Sequence, residues 1–347
     1  MRACRPCVVH CRYIERRFEG GDHKMLQKEK IQFVIPVYNE GECIDELMTR
    51  LIALRDSFTE VDIEVIFIDD GSIDASLSML NDYAAERDFV KVIGLSRNFG
   101  HQIAVTAGID HTDADWVCII DADLQDPPEL VIDMYNTAKK KNIDVLYGKR
   151  SNRKGETWIK KSSSAAFYRV LEWMCHIKIP TDTGDFRLIS RRVSLALKGM
   201  RERHRFLRGM VPWVGFSSEA FLYERDERYA GKTKYSPTKM VGLALDAIFS
   251  FSRKPLRIAS LVGFLVAGAG VAGLAYMVYL KLSTDVVVPG ITVILTAVLL
   301  VGGTQLMLLG ILGEYIGRLY EESKRRPLYL VKSLMNIKEN DLGDDHI

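Results

Sequence analysis

The chain carries almost no net charge. Its 47 lysines and arginines stand against 45 aspartates and glutamates, leaving +2 over 347 residues, which argues against a general nucleic-acid binder. No Gly-x-x-x-x-Gly-Lys-Ser/Thr loop occurs, so a P-loop nucleoside-triphosphate hydrolase is unlikely chemistry for it. No cleavable signal sequence is expected at the start. Cysteine is sparse, with six in all. Cys43, Cys118 and Cys175 are scattered and are expected to be reduced, as in a cytoplasmic domain. Cys4, Cys7 and Cys11 cluster beside His10 at a spacing that superficially suggests a zinc knuckle. Residues 1–24, however, are basic, lack hydrophobic periodicity and precede Met25. They read better as a non-native or disordered leader, with the true start at Met25. Up to about residue 255 no apolar run is long enough to cross a bilayer.

Beyond that point two such runs follow. Ile258–Leu280 contains no charge, and Val286–Leu312 is interrupted only by a proline near its start and by Gln305. At about 1.5 Å per residue each spans a ~30 Å hydrocarbon core as a helix. The link Lys281–Asp285 is short, so a helical hairpin is expected. Arg253, Lys254 and Arg257 precede the hairpin, and Arg318, Lys324, Arg325 and Arg326 follow it. The positive-inside rule then puts both ends in the cytoplasm. Residues 236–257 read as interfacial amphipathic helices, 25–235 as the soluble domain and 313–347 as a tail. Gly268-Ala-Gly-Val-Ala-Gly273 matches a dinucleotide fingerprint letter for letter. It lies inside an apolar run after no soluble strand, so close helix packing is the better reading.

The soluble part alternates strands and helices. Strands are predicted from Ile31 to Pro36, over Val61–Ile68, Val90–Leu95, Trp116–Ile120 and Val145–Tyr147. Helices are predicted over Cys43–Phe58, Asp74–Arg87, His101–His111, Pro128–Lys140 and Ser162–Cys175. Asp182–Leu188 reads as a turn and a strand. The alternation means an α/β fold with a parallel sheet covered on both faces. Ligands in such sheets sit at the carboxyl ends of strands. Pro36-Val-Tyr-Asn-Glu40, Asp69-Asp-Gly-Ser72 and Asp121-Ala-Asp123 all fall there. Asp121 and Asp123, one residue apart at a strand end, can face one site together. Two carboxylates so placed repel unless a cation lies between them. One or two carboxylates with substrate phosphates completing the shell is the usual Mg²⁺ arrangement.

These motifs, in this order, resemble family 2 glycosyltransferases of the polyprenyl-phosphate type, the dolichyl-phosphate mannose synthases and bacterial bactoprenol glucosyltransferases. Val34-Ile-Pro-Val-Tyr-Asn-Glu40, Ile68-Asp-Asp-Gly-Ser72, Arg97-Asn-Phe-Gly100, Asp121-Ala-Asp-Leu-Gln-Asp-Pro127, Gly184-Asp-Phe-Arg187 and Gly313-Glu-Tyr-Ile-Gly-Arg318 carry the likeness, which runs from about Ile31 to Val331. The resemblance implies a GT-A (Rossmann-like) fold, a nucleotide-sugar donor, Mg²⁺ or Mn²⁺, and inversion at the anomeric carbon. It places Pro36, Tyr38, Asn39 and Glu40 along the base and ribose, and Asp70 on the base with Asp69 supporting the loop. Asp121 would face the sugar, Asp123 (with Asp121) would hold the metal, and Gln125 would touch the donor. Asp185 would be the acidic residue near the acceptor.

A polyprenyl phosphate acceptor is mostly dianionic at neutral pH, its second pKa being near ~6. Such a nucleophile needs placement more than deprotonation, so Asp185 is read as a positioning group or weak base. Arg153, Lys160, Lys161, Arg187, Arg228, Lys232 and Lys234 are candidates for gripping the lipid phosphate or the diphosphate. A processive polysaccharide synthase would carry a Gln-x-x-Arg-Trp motif, which does not occur. A non-catalytic component of a lipid-sugar flippase is the non-enzymatic alternative. UDP-glucose is the first donor expected, with UDP-N-acetylglucosamine, galactose, aminoarabinose and GDP-mannose donors open. The resemblance further implies undecaprenyl phosphate as acceptor, the bacterial inner membrane as location and a homo-oligomer, a tetramer in relatives.

Overall fold

The computed structural model describes residues 28–150, 174, 183–224, 248–249, 252–283 and 290–337. The leader 1–24, the predicted helix Ser162–Cys175 except for Met174, and Arg153, Lys160, Lys161, Arg228, Lys232 and Lys234 lie outside these residues, as does most of the stretch 236–251.

β1 (Lys30–Val37), β2 (Asp62–Asp69), β3 (Val90–Leu95) and β4 (Trp116–Ile119) are parallel neighbours. The β-branched runs that predicted them are buried on both sides, as a parallel sheet requires. On β1, Ile31, Phe33 and Ile35 face one helical layer while Val34 faces the other. The first layer is α1 (Gly41–Ser57), α2 (Ser76–Glu86) and α4 (Leu130–Lys141). The second is α3 (His101–Asp110), α5 (Arg191–Gly199) and α6 (Leu207–Val214). Gly108 lets α3 lie close to the sheet: a Cβ there would sit 2.4 Å from Val34 and 2.7 Å from Ile68.

The sheet is mixed rather than parallel throughout. β5 (Val145–Arg150), β6 (Thr183–Ser190), β7 (Ser218–Tyr223) and β8 (Val331–Met335) complete the order β7-β5-β6-β4-β1-β2-β3-β8 among the described residues. β6 runs antiparallel to both β4 and β5, and β8 antiparallel to β3. The residues expected to form a tail therefore return to the sheet edge. Ser96 N–H donates to Leu330 O at 2.9 Å, and the amide of Asn336 donates to the carbonyls of Ala84 and Val90 at 2.6 and 2.8 Å. Tyr329 is fully buried, its hydroxyl donating to Asp110 at 3.0 Å.

α7 (Lys254–Ser283) and α8 (Gly290–Ser323) are long apolar helices that pack on each other. Lys254–Arg257, expected in the interfacial segment, form the first turn of α7, and α8 runs eleven residues past Leu312. Phe264 is 78% exposed and Leu306 72%. Apolar helices left uncovered on this scale are not core helices, and a lipid environment accounts for them. Gly263 packs against Leu308, but a Cβ at Gly268, Gly270 or Gly273 would meet nothing within 4 Å. The close-packing reading of that glycine run is not met among the described residues.

Candidate active site

A crevice opens where β1 and β4 part. The carbonyl of Val34 accepts the N–H of Ile120, the last bond between them, while β1 continues three residues further along β2. Pro36 falls on that continuation. Its missing N–H faces the side where β4 has already ended, so a central strand tolerates proline there. The strand order reverses at this point, since β1 is followed by β2 and β3 on one side and by β4 on the other. A topological switch of this kind is where open α/β sheets bind ligands.

The loops after β1, β2 and β3 are built as one body. Asn39 has φ +52°; its N–H donates to Ser72 Oγ, and its Oδ1 accepts the N–H of Ile73 at 2.9 Å. Glu40 N–H donates to Ser76 Oγ, and Tyr38 is half exposed beside them. Asp69 accepts the N–H of Ser72 at 3.2 Å, capping the turn, while its Oδ1 has no hydrogen-bond partner among the described residues. Asp70 accepts the N–H groups of Phe99 and Gly100 at 2.7 and 2.9 Å. Burial raises its pKa, partly offset by those two amides. Gly71 has φ +72°, and a Cβ there would lie 2.6 Å from the carbonyl carbon of Arg97 and 2.7 Å from the nitrogen of Asn98. Gly71→Ala is therefore expected to destabilise the domain by about 2 kcal/mol or more through strain and collision with backbone. A melting temperature unchanged within a degree would show that the loops part freely.

The turn after β4 carries the acids. Asp123 is buried, its Oδ1 accepting the N–H of Gln125 at 3.2 Å, and Leu124 takes a left-handed conformation, φ +58°. Asp126 accepts the hydroxyl of Tyr223, which ties the turn to β7. The carboxylate of Asp121 is 31% exposed, yet its Oδ1 is buried and, among the described residues, accepts no hydrogen bond, with His101 Nε2 3.7 Å away. Burial, with Asp185, Asp126 and Asp123 nearby, pushes its pKa up to about 6 despite the opposing charge of His101. A buried carboxylate oxygen among four crowded acids fits a divalent cation.

Asp185, on β6, faces Asp121. Arg208 grips it with both arms, Nε to Oδ1 at 2.9 Å and Nη2 to Oδ2 at 3.0 Å, and His101 Nε2 lies 3.1 Å from Oδ2. Burial alone would raise the Asp185 pKa, but the charge of Arg208 and the hydrogen bond from His101 hold it well below the carboxylate range. His101 also lies 3.7 Å from Asp121 Oδ1. Burial disfavours its charged ring, but the bond to Asp185 and the charges of Asp121 and Asp185 outweigh that and push its pKa up to about 9. Ligand atoms of His101, Asp121 and Asp185 lie within 4.8 Å of one another. These three side chains could hold a cation between them, against the opposing charge of Arg208 on Asp185, and Asp123, two residues beyond Asp121, adds a further carboxylate to the turn.

Arg187 does not reach toward a phosphate as expected. It is buried and donates to the carbonyls of Asp185, Leu207 and Gly184 at 3.2, 3.3 and 3.2 Å. Burial draws its pKa down to about 10. Pro36 and Asp69 lie at the carboxyl ends of β1 and β2, Tyr38, Asn39, Glu40, Asp70, Asp121, Asp123 and Gln125 on the loops that follow the strands, and Asp185 on β6 beside them. His101 and Arg208 were not singled out from the sequence. The only sequence signal for His101 is its place directly after Arg97-Asn-Phe-Gly100, at a helix start.

Residues 32–197 match the glycosyl transferase family 2 model, and residues 254–319 match the GtrB C-terminal hairpin. The chain belongs to glycosyl transferase family 2, and it is a glycosyltransferase whose hairpin associates it with a membrane. It is 46% identical over 321 residues to the uncharacterized glycosyltransferase YkcC of Bacillus subtilis (strain 168), covering 92% of this chain and 99% of that one. It is 38% identical over 304 residues to the bactoprenol glucosyl transferase of Shigella phage SfX, covering 88% and 99%. The prophage bactoprenol glucosyl transferase homolog of Escherichia coli (strain K12) is 37% identical over 303 residues, covering 87% and 98%.

Proposed function

We propose that the chain transfers glucose from UDP-glucose to undecaprenyl phosphate, with inversion, to give a lipid-linked monosaccharide. The observation that carries this reading is the pairing, in one chain, of the crowded acidic turn at Asp121–Asp123 with an uncovered apolar hairpin. The names of the phage and prophage relatives support glucose and a bactoprenol acceptor. Asp69, Asp70 and the Tyr38–Glu40 turn would hold the nucleotide, and Gln125 would touch its sugar or phosphates. Asp121 and Asp123 would hold Mg²⁺ or Mn²⁺, which when bound neutralises the charge of the nucleoside diphosphate. The catalytic domain and both termini would face the cytoplasm, as the basic residues flanking the hairpin favour. Assembly into a homo-oligomer belongs to the same reading.

The acceptor phosphate is already anionic, so Asp185 need not remove a proton from it. Held as a carboxylate by Arg208 and His101, it serves to orient the phosphate's surroundings. Asp185→Asn is expected to lower kcat by about 10- to 100-fold with donor affinity unchanged. Complete loss of turnover with normal donor binding would make Asp185 an obligatory base. The reading as a whole is tested by offering purified protein a panel of nucleotide sugars with undecaprenyl phosphate and Mg²⁺ or Mn²⁺, with chelator as control. Glycolipid formed from UDP-glucose and lost in chelator is expected. Formation from another sugar moves the donor assignment, and no product from any donor overturns the reading.

A further inference from the structure

The partners of Asp185 are themselves joined. Leu207 N–H, next to Arg208, donates to Gln102 Oε1 at 2.9 Å, and Gln102 is next to His101. Leu207 O accepts from Arg187, which also donates to the carbonyl of Asp185. Three elements, α3, α6 and β6, thus close a polar circuit around one carboxylate. Arg187 Nη2 lies 3.6 Å from Asp185 Oδ1. Arg187 and His101 also stand beside the carboxylate, although the charge of Arg208 is the largest one favouring its ionised form. What Arg208 alone adds is the planar fork that fixes both oxygens at once.

Resting on the transfer reaction proposed above, we infer that Arg208 is a positioning residue: its fork sets the orientation of Asp185 beside Asp121, between the donor side of the crevice and the acceptor. The start of α6 is fastened to α3 and β6, so the fork is presented from a rigid base.

The test is a double-variant cycle in the full chain, with Arg208→Ala, Asp185→Asn and the two combined, together with Arg208→Lys. Arg208→Ala is expected to fold, to lower kcat about 30-fold or more and to leave the dissociation constant of the nucleotide sugar within about twofold. Guanidinium ion added to Arg208→Ala should restore part of the loss. Arg208→Lys should recover only a fraction, because a point charge cannot hold both oxygens. The combined variant should be no slower than the slower single one within about threefold, since both changes break the same contact. Wild-type kcat in Arg208→Ala, full recovery in Arg208→Lys, or losses that multiply in the combined variant would each overturn the inference. A wild-type protein inactive toward every nucleotide sugar would instead refute the proposed function. The same cycle read as melting temperatures then decides the clamp: overlapping losses support it and additive ones overturn it.

Discussion

Replacing Asp123 with alanine is expected to lower sugar transfer by about a thousandfold or more, on the order of 4 kcal/mol of transition-state stabilisation, in a chain that still folds. The hydrogen bond its side chain accepts from the N–H of Gln125 contributes about 1 kcal/mol. Its neighbour shows the same logic with opposite signs. Asp121 is held as a carboxylate where burial and three other acids disfavour charge, so its pKa is raised to about 6. A carboxylate whose folded pKa lies above its unfolded value destabilises the fold when ionised. That cost grows as pH rises from about 4 to about 6 and is constant above. Asp121→Asn should therefore raise stability at pH 7.5, by about 1 to 2 kcal/mol after discounting for partial exposure, while abolishing most turnover. At pH 4 the gain in melting temperature should vanish. Mn²⁺ should raise the melting temperature of the wild type and lose that effect in both variants, as binding to the folded state alone requires. Equal Mn²⁺ stabilisation of wild type and Asp123→Ala would take the metal away from this turn.

The same turn shows what the sequence could and could not disclose. The four parallel strands were legible because each is a β-branched run ended by an acidic or glycine-bearing loop. Their ends fell within two residues of the predicted ones, and their common placement at carboxyl ends made the acids readable as one site. The edges were not legible. β7 and β8 are short, and Val331-Lys-Ser-Leu-Met335 gains its strand character only by pairing with β3 across more than two hundred residues. α5 and α6 follow an antiparallel strand that breaks the simple alternation. His101 and Arg208 stand 84 and 23 residues from Asp185. A lone histidine or an arginine in a short helix carries no pattern of its own, and only the fold makes them its partners. Arg187 misled in the other direction. It sits in a motif beside an acid, but its burial among carbonyls is a consequence of packing that spacing does not encode.

Ending the chain at Pro327 should cost more stability than any single substitution in the crevice, although it removes nothing that touches a ligand. The hairpin is inserted between β7 and β8, so the sheet is finished only when the chain comes back from it. Tyr329 then fills the layer of α3, α5 and α6, fully buried in the cluster that includes Leu95, Ile109 and Leu197, and its hydroxyl bonds Asp110, which also pairs with Arg201. Gly94 approaches Ser333 so closely that a Cβ on it would lie 2.4 Å from the hydroxyl. Tyr329→Ala alone should cost about 3 to 5 kcal/mol, as other aromatic deletions from cores do. A domain of this size commonly has about 5 to 15 kcal/mol in total. Tyr329→Phe keeps the ring and loses the hydroxyl's bond to Asp110, about 1 kcal/mol. Thermal unfolding in detergent should therefore rank wild type, Tyr329→Phe, Tyr329→Ala and the truncated chain in that order, with a fall of roughly 10 °C at Tyr329→Ala. The consequence reaches function because both ends of the hairpin are tied down, one where Ser252 Oγ donates to the carbonyl of Met174 and the other through β8 on the sheet edge. If the truncated chain keeps the wild-type melting temperature and transfers sugar at the wild-type rate, the returning strand is ornamental, and the height of the crevice above the lipid must be set by something else.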